Sequence, residues 1–146
     1  MHAELPRFAG SEQHALDHKG RLIVPARFRE RLGSQFVLTI APPDACLTLY
    51  PSATWVEICG RLESVPKKDE SYRRFLRYLF AHTEEVGCDA QGRMVVPALL
   101  RSYAGIERYV VSVGLLTRVE IWAKERYAFE TPPEGDVPRF MAELGL

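Results

Sequence analysis

Two pentapeptides of the same chemistry stand 72 residues apart, Asp17-His18-Lys19-Gly20-Arg21 and Asp89-Ala90-Gln91-Gly92-Arg93. A carboxylate and a guanidinium at this spacing, across a turn that contains glycine, can serve in either of two ways. They can close an internal ion pair that only fixes a hairpin. Alternatively, the carboxylate can hold the planar fork while its remaining N–H groups offer parallel hydrogen bonds to a phosphate or a guanine. Lys19 adds a mobile positive donor to the first turn, and Gln91 stands in its place in the second. Asp17 and Asp89 are orienting residues, because a carboxylate turned towards phosphates would be repelled. Gly20 and Gly92 supply the unusual backbone that the turn needs.

Chemistry of other kinds has little support. The chain shows no phosphate-binding glycine loop, no metal-spaced His/Cys cluster and no nucleophile motif, so no catalytic residue, metal, cofactor or small-molecule substrate is expected. His2, His14, His18 and His82 are scattered, and His18 reads as an exposed turn residue. Cys46, Cys59 and Cys88 form no CxxC pair and read as reduced thiols buried in the core. The adjacent arginines keep Asp17 and Asp89 ionised, which suits them poorly to general-acid work.

The elements that must position the two turns repeat with them. After each arginine comes an apolar run ended by proline, Leu22-Ile23-Val24-Pro25 and Met94-Val95-Val96-Pro97. Neither run alternates with polar residues, so each reads as a strand buried on both faces. Pro25 and Pro97 stop the strand and suit the first position of a helix. Phe28 with Leu32, and Leu100 with Ala104, share a helical face, and Gly33 and Gly105 close the helices. A fixed period of this kind marks one supersecondary unit used twice.

Around these units the pattern predicts a first strand over Phe8 to Leu16, repeated by Glu84 to Cys88. Phe36 to Ile40 is a strand, repeated by Tyr109 to Val113 with one residue inserted. Cys46 to Tyr50 is another, repeated by Arg118 to Trp122 with its polar residues pointing away from the core. Ser52 is placed to cap a helix carrying Trp55, Val56, Ile58 and Cys59. A second helix begins near Asp69, with Tyr72, Phe75, Leu76, Leu79 and Phe80 on one stripe and Arg73, Arg74 and Arg77 on the other side. Residues 1–7 read as a loose extension. Beyond Thr131 a Pro-rich segment leads to a short helix holding Phe140, Met141 and Leu144.

The 146 residues suffice for one domain, or for two small units fused around a shared core, with 47% hydrophobic and 26% charged residues. One unit has too few strands to hide its own apolar faces, so the two are expected to interleave into one small barrel with pseudo-twofold symmetry. No apolar run reaches the length of a membrane span, and the N-terminus lacks the pattern of a secretory signal, so a cytoplasmic protein is expected. A formal net charge of +0 argues against indiscriminate binding of nucleic acid, so any polyanion must meet a local patch.

The paired Asp-x-Lys/Gln-Gly-Arg turns, each followed by an aliphatic run and Pro-Ala, resemble the MraZ family of bacterial transcriptional regulators over nearly all of Phe8 to Phe129. The resemblance implies an α+β, mainly β fold: a double-split β-barrel with swapped hairpins, built from two tandem SpoVT/AbrB-like βαβ-type repeats and connecting helices. It divides the chain into repeat 1 over 8–54, connecting helices over 55–82, repeat 2 over 83–126 and a Pro-rich tail over 127–146. It implies a nucleoid-associated, ring-like homo-oligomer that binds short direct repeats in the promoter DNA of the division and cell-wall gene cluster. Carried over by position, Lys19 and Arg21 of the first motif and Arg93 of the second would contact DNA, with Asp17, Gly20, Asp89 and Gly92 orienting them; Arg27 is added as a DNA contact from the dense basic stretch Lys19 to Arg31, in which Arg29 and Arg31 read as a solvated helix face. An oligomeric interaction scaffold whose turns join subunits, and an AbrB-like antitoxin, are the rival readings.

Overall fold

The first strand of repeat 1 finds its partner in repeat 2. β1 (Ser11–Ala15) runs antiparallel to β7 (Tyr109–Leu115), and its equivalent β5 (Glu84–Val86) runs antiparallel to β3 (Phe36–Ile40). Between them β4 (Leu47–Pro51) pairs with both β3 and β8 (Arg118–Ala123), and β8 pairs with β7. The order of the six-stranded sheet is therefore β1-β7-β8-β4-β3-β5. Exchanging each strand for its counterpart returns the same order reversed, which places the pseudo-twofold axis between β4 and β8. A separate two-stranded ribbon joins β2 (Arg21–Ile23) to β6 (Arg93–Val95), with Leu22 opposite Met94 at its centre. This computed structural model describes residues 5–146, so the first four residues of the expected N-terminal extension, His2 among them, lie outside the described residues.

The interleaving follows from what each repeat can bury. Phe28, Leu22, Leu38 and Leu49 from repeat 1 and Met94, Leu100, Val110 and Ile121 from repeat 2 belong to one hydrophobic cluster, each with 2% exposure or less. Neither repeat alone has a second layer to cover these side chains, and the strand exchange supplies it. The fold is α+β and mainly β, as expected, with α2 (Ser52–Glu63) and α3 (Glu70–Ala81) between the repeats.

Several local expectations are corrected. The ribbon strands are buried on one face only: Leu22 and Met94 are sealed, whereas Ile23 is 53% and Val95 56% exposed. Period-two geometry in a two-stranded ribbon leaves one face without a covering layer, whatever the residues on it. The first strand is shorter than Phe8 to Leu16, because Gly10 takes φ 90° and Phe8 instead forms an isolated bridge to Leu116. β5 likewise stops at Val86, short of Cys88. Ser52 does not cap α2: Pro51 holds the N-cap position and the Ser52 hydroxyl donates to the Gln35 carbonyl at 3.0 Å. Asp69 does cap α3, accepting from the Tyr72 amide at 2.9 Å.

Glu120, read from its alternation as outward-facing, is buried. It accepts from Trp122 Nε1 at 3.1 Å and from Arg118 Nη2 at 3.2 Å. Only Cys46 of the three thiols is buried, and Cys59 and Cys88 are partly exposed. Pro25 and Pro97 stand one residue before their helices, α1 (Ala26–Leu32) and α4 (Ala98–Ala104), as N-caps. α5 (Lys124–Tyr127) follows β8 as α2 follows β4, and α6 (Asp136–Glu143) carries Phe140 and Met141 as expected near the C-terminus, with Leu144 just beyond it at the C-cap.

Candidate nucleic-acid interface

Each turn is built by its aspartate. Asp17 Oδ1 accepts from the backbone amides of Lys19 and Arg21, both at 2.9 Å, while the Gly20 amide closes onto the Asp17 carbonyl at 3.0 Å. Asp89 does the same for Gln91, at 3.0 Å, and for Arg93 and Gly92, at 2.9 Å each. Short polar side chains bond their own following amides in this way, and the glycine takes the positive φ that the tight turn requires, 73° at Gly20 and 78° at Gly92. The second carboxylate oxygen then holds the arginine: Arg21 Nε donates to Asp17 Oδ2 at 2.7 Å, and Arg93 Nε to Asp89 Oδ2 at 2.8 Å. The backbone amide of Arg21, its guanidinium and the Lys19 amide stabilise the ionised carboxylate and pull Asp17 down to about 2, against partial desolvation. Asp89 is lowered for the same reason, the Arg93 amide first.

The two turns differ in what remains to donate. With Nε bound to Asp17, Arg21 has no acceptor for Nη1 or Nη2 among the described residues. Arg93 gives Nη2 to Gln91 Oε1 at 3.2 Å, an acceptor that lysine at the equivalent position could not provide. Turn one thus presents a free guanidinium edge and the exposed Lys19, while turn two presents a partly satisfied arginine and no second cation.

Arginines from the opposite repeat brace both turns. Arg29 Nε donates to the Val24 carbonyl at 2.8 Å, and its guanidinium stands where a side chain on Gly92 would be. Arg101 Nη1 donates to the Val96 carbonyl at 2.5 Å, with its guanidinium over Gly20. The backbones also lock together, Val24 N to Gly92 O and Val96 N to Gly20 O, each at 2.9 Å. Arg29 is therefore half-buried and engaged, not part of a solvated face, whereas Arg31 reaches the Arg7 carbonyl at 2.7 Å from an exposed position. The 72-residue match between Arg29 and Arg101 was the available signal for this brace. What it could not reveal is that each arginine crosses to the other repeat's turn.

The structure brings Arg21 and Arg93 together on the outer face of the ribbon, along one open groove with Val95, Pro97, Asp89 and the edge strand β5, including Glu84 and Glu85. Arg27 does not line that groove. It lies beside β1, with Nη2 at 3.2 Å from the Ser11 carbonyl and 3.5 Å from Glu12 Oε1, and its guanidinium is 5.0 Å from the Phe28 ring centroid. On α3, Arg74 pairs with Glu70 at 2.6 Å, an ordinary exposed helix pair. No helix among the described residues is long and apolar enough to cross a membrane.

Comparison with known proteins gives one assignment for both repeats. The family model described as "MraZ protein, putative antitoxin-like" matches residues 7–78 and again 79–129. A relative from Clostridium acetobutylicum is 39% identical over 142 residues, covering 95% of this chain and 99% of its own. One from Desulforamulus reducens is 47% identical over 120 residues, covering 82% and 84%. One from Clostridium beijerinckii is 46% identical over 121 residues, covering 83% and 84%. All three carry the name "Transcriptional regulator MraZ". With both halves matched and the paired turns intact, this chain belongs to the MraZ family of transcriptional regulators.

Proposed function

We propose that this protein regulates transcription by binding promoter DNA through its paired turns, as a ring-like oligomer that engages short direct repeats near the division and cell-wall genes. The observation that carries this reading is the pair of guanidinium groups, each fixed at Nε by its own aspartate and aimed from one rigid ribbon. Arginines held in this way lose little entropy on binding, and their free edges match guanine or phosphate. Lys19 supplies an adjacent phosphate contact, and Arg27 contributes from the flank after releasing Glu12. In this reading residues 8–54 and 83–126 are the two DNA-facing units of a double-split barrel.

A neutral chain with so few basic contacts binds weakly as a single copy. Linking several copies raises the effective concentration of each later contact, and this avidity replaces the missing net charge. The test is a footprint on the DNA upstream of the protein's own gene, with assembly size measured in the same buffer. A protected run of short repeats by a multi-subunit particle supports the proposal; no sequence-selective protection at any salt concentration rejects it. The scaffold reading draws on one observation, the exposed apolar side chains of Phe140, Met141 and Leu144 at the end of the chain. It predicts particles of the same size that ignore DNA.

A further inference from the structure

The outer face of the ribbon carries more than its arginines. Register places Arg21 opposite Val95 and Ile23 opposite Arg93, so these four side chains share one face while Leu22 and Met94 point into the core. Directly opposed residues stand roughly 5 Å apart and same-face neighbours along a strand roughly 7 Å apart. The face is thus a small quadrilateral with arginines on one diagonal and branched aliphatics on the other. Ile23 and Val95 are each more than half exposed. Single exposed aliphatics on strands are common, but here two occupy pseudo-twofold positions, each beside one of the oriented guanidiniums.

We infer that Ile23 and Val95 are specificity residues that pack on the C5-methyl groups of thymines in the major groove, next to the bases addressed by Arg21 and Arg93. The inference rests on the DNA-binding reading and deepens it. A two-stranded ribbon fits the major groove, roughly 12 Å wide, where thymine presents a methyl group and guanine presents O6 and N7 to arginine. A phosphate-binding face would not place aliphatics beside its cations, because they would strip water from the phosphate without replacing its hydrogen bonds. Base edges offer the matching mixture of acceptor and methyl. A second copy is a poorer fit, because placed symmetrically on this face it would bring its own Arg21 and Arg93 against the first pair. Glu84 and Glu85 along the groove disfavour phosphate on the β5 side and confine the duplex to the ribbon.

The experiment uses the full-length protein and a duplex spanning the site footprinted upstream of its own gene, with thymines replaced one at a time by uracil, which removes only the methyl. Wild-type affinity should fall about fourfold at each contacted thymine. Ile23→Ala and Val95→Ala should bind the parent duplex more weakly, with the same salt dependence and the same particle size, and should no longer distinguish thymine from uracil at their positions. If the wild-type protein footprints normally yet is indifferent to every thymine-to-uracil change, the inference fails while the DNA reading survives. If the alanine variants change particle size together with affinity, Ile23 and Val95 belong to a subunit contact and the inference fails. If no duplex is bound selectively, the DNA reading itself fails.

Discussion

Arg101 lies over Gly20, its Nη1 bonded to the Val96 carbonyl, so a side chain added at Gly20 would meet a guanidinium contributed by the other repeat. Arg29 and Gly92 repeat the relationship in the opposite direction. Each Asp-Gly-Arg turn is therefore supported by the repeat that does not contain it, which makes the pair of turns one rigid unit.

Gly20→Ala should be destabilising on two counts, the positive φ of 73° and the guanidinium above it. The left-handed backbone alone costs a residue with a side chain roughly 1–2 kcal/mol. Urea denaturation should show a loss of at least that size, and Gly92→Ala a similar one. Gly60 has open space around it and no positive φ, so Gly60→Ala in the interior of α2 should instead be neutral or stabilising.

The turns should contribute unequally to binding. Arg21→Ala should abolish selective retardation of promoter DNA with particle size unchanged, and Arg93→Ala should weaken it less, because Gln91 already occupies part of that guanidinium. Gln91→Lys should tighten binding and steepen its salt dependence, by up to about 0.9 in the log–log slope for one added phosphate contact. Titrations at several salt concentrations measure both. An unaltered slope in Gln91→Lys would place turn two away from the phosphates.

Acid should loosen the turns in a defined window. Asp17 is lowered to about 2 in the folded chain from an ordinary value of 3.8, so the folded state binds this proton less readily than the unfolded one. Its stabilising contribution is complete above pH 3.8 and is lost as pH falls from there through about 2. Asp17→Asn removes the titrating group, so its stability should depend less on pH across this window. Parallel wild-type and Asp17→Asn profiles would show that the carboxylate is equally disposed to protonate in both states.

Neighbouring positions on β2 should respond in opposite ways. Leu22 is 1% exposed at the centre of the shared core, so Leu22→Ala should cost about 2–5 kcal/mol by combining lost burial with a cavity. Ile23, one residue on, is 53% exposed, and Ile23→Ala should cost under about 1 kcal/mol. Thermal or urea unfolding of the two variants measures the contrast. Equal losses would mean that Ile23 is covered in the assembled particle.

Much of this architecture was legible in the chain itself. The 72-residue period announced one unit used twice. The Asp-Gly-Arg spacing announced the aspartate-built turns, because an aspartate bonding its own following amides is a local interaction that a few residues specify. The strand at Phe36 to Ile40 and the start of a helix near Asp69 were legible from local pattern as well, and the resemblance of the paired motifs reached the family. What the sequence could not decide was which faces find a covering layer. Leu22, Ile23 and Val24 are equally apolar, and only the two-stranded ribbon, packed on one side, separates the buried Leu22 from the exposed Ile23. Glu120 looked outward-facing until Trp122 and Arg118 closed around it. The exchange of β1 and β5 between repeats, and the crossing of Arg29 and Arg101 onto opposite turns, are non-local pairings. Local propensity is blind to them because their energy comes from surfaces that meet only when the chain has folded.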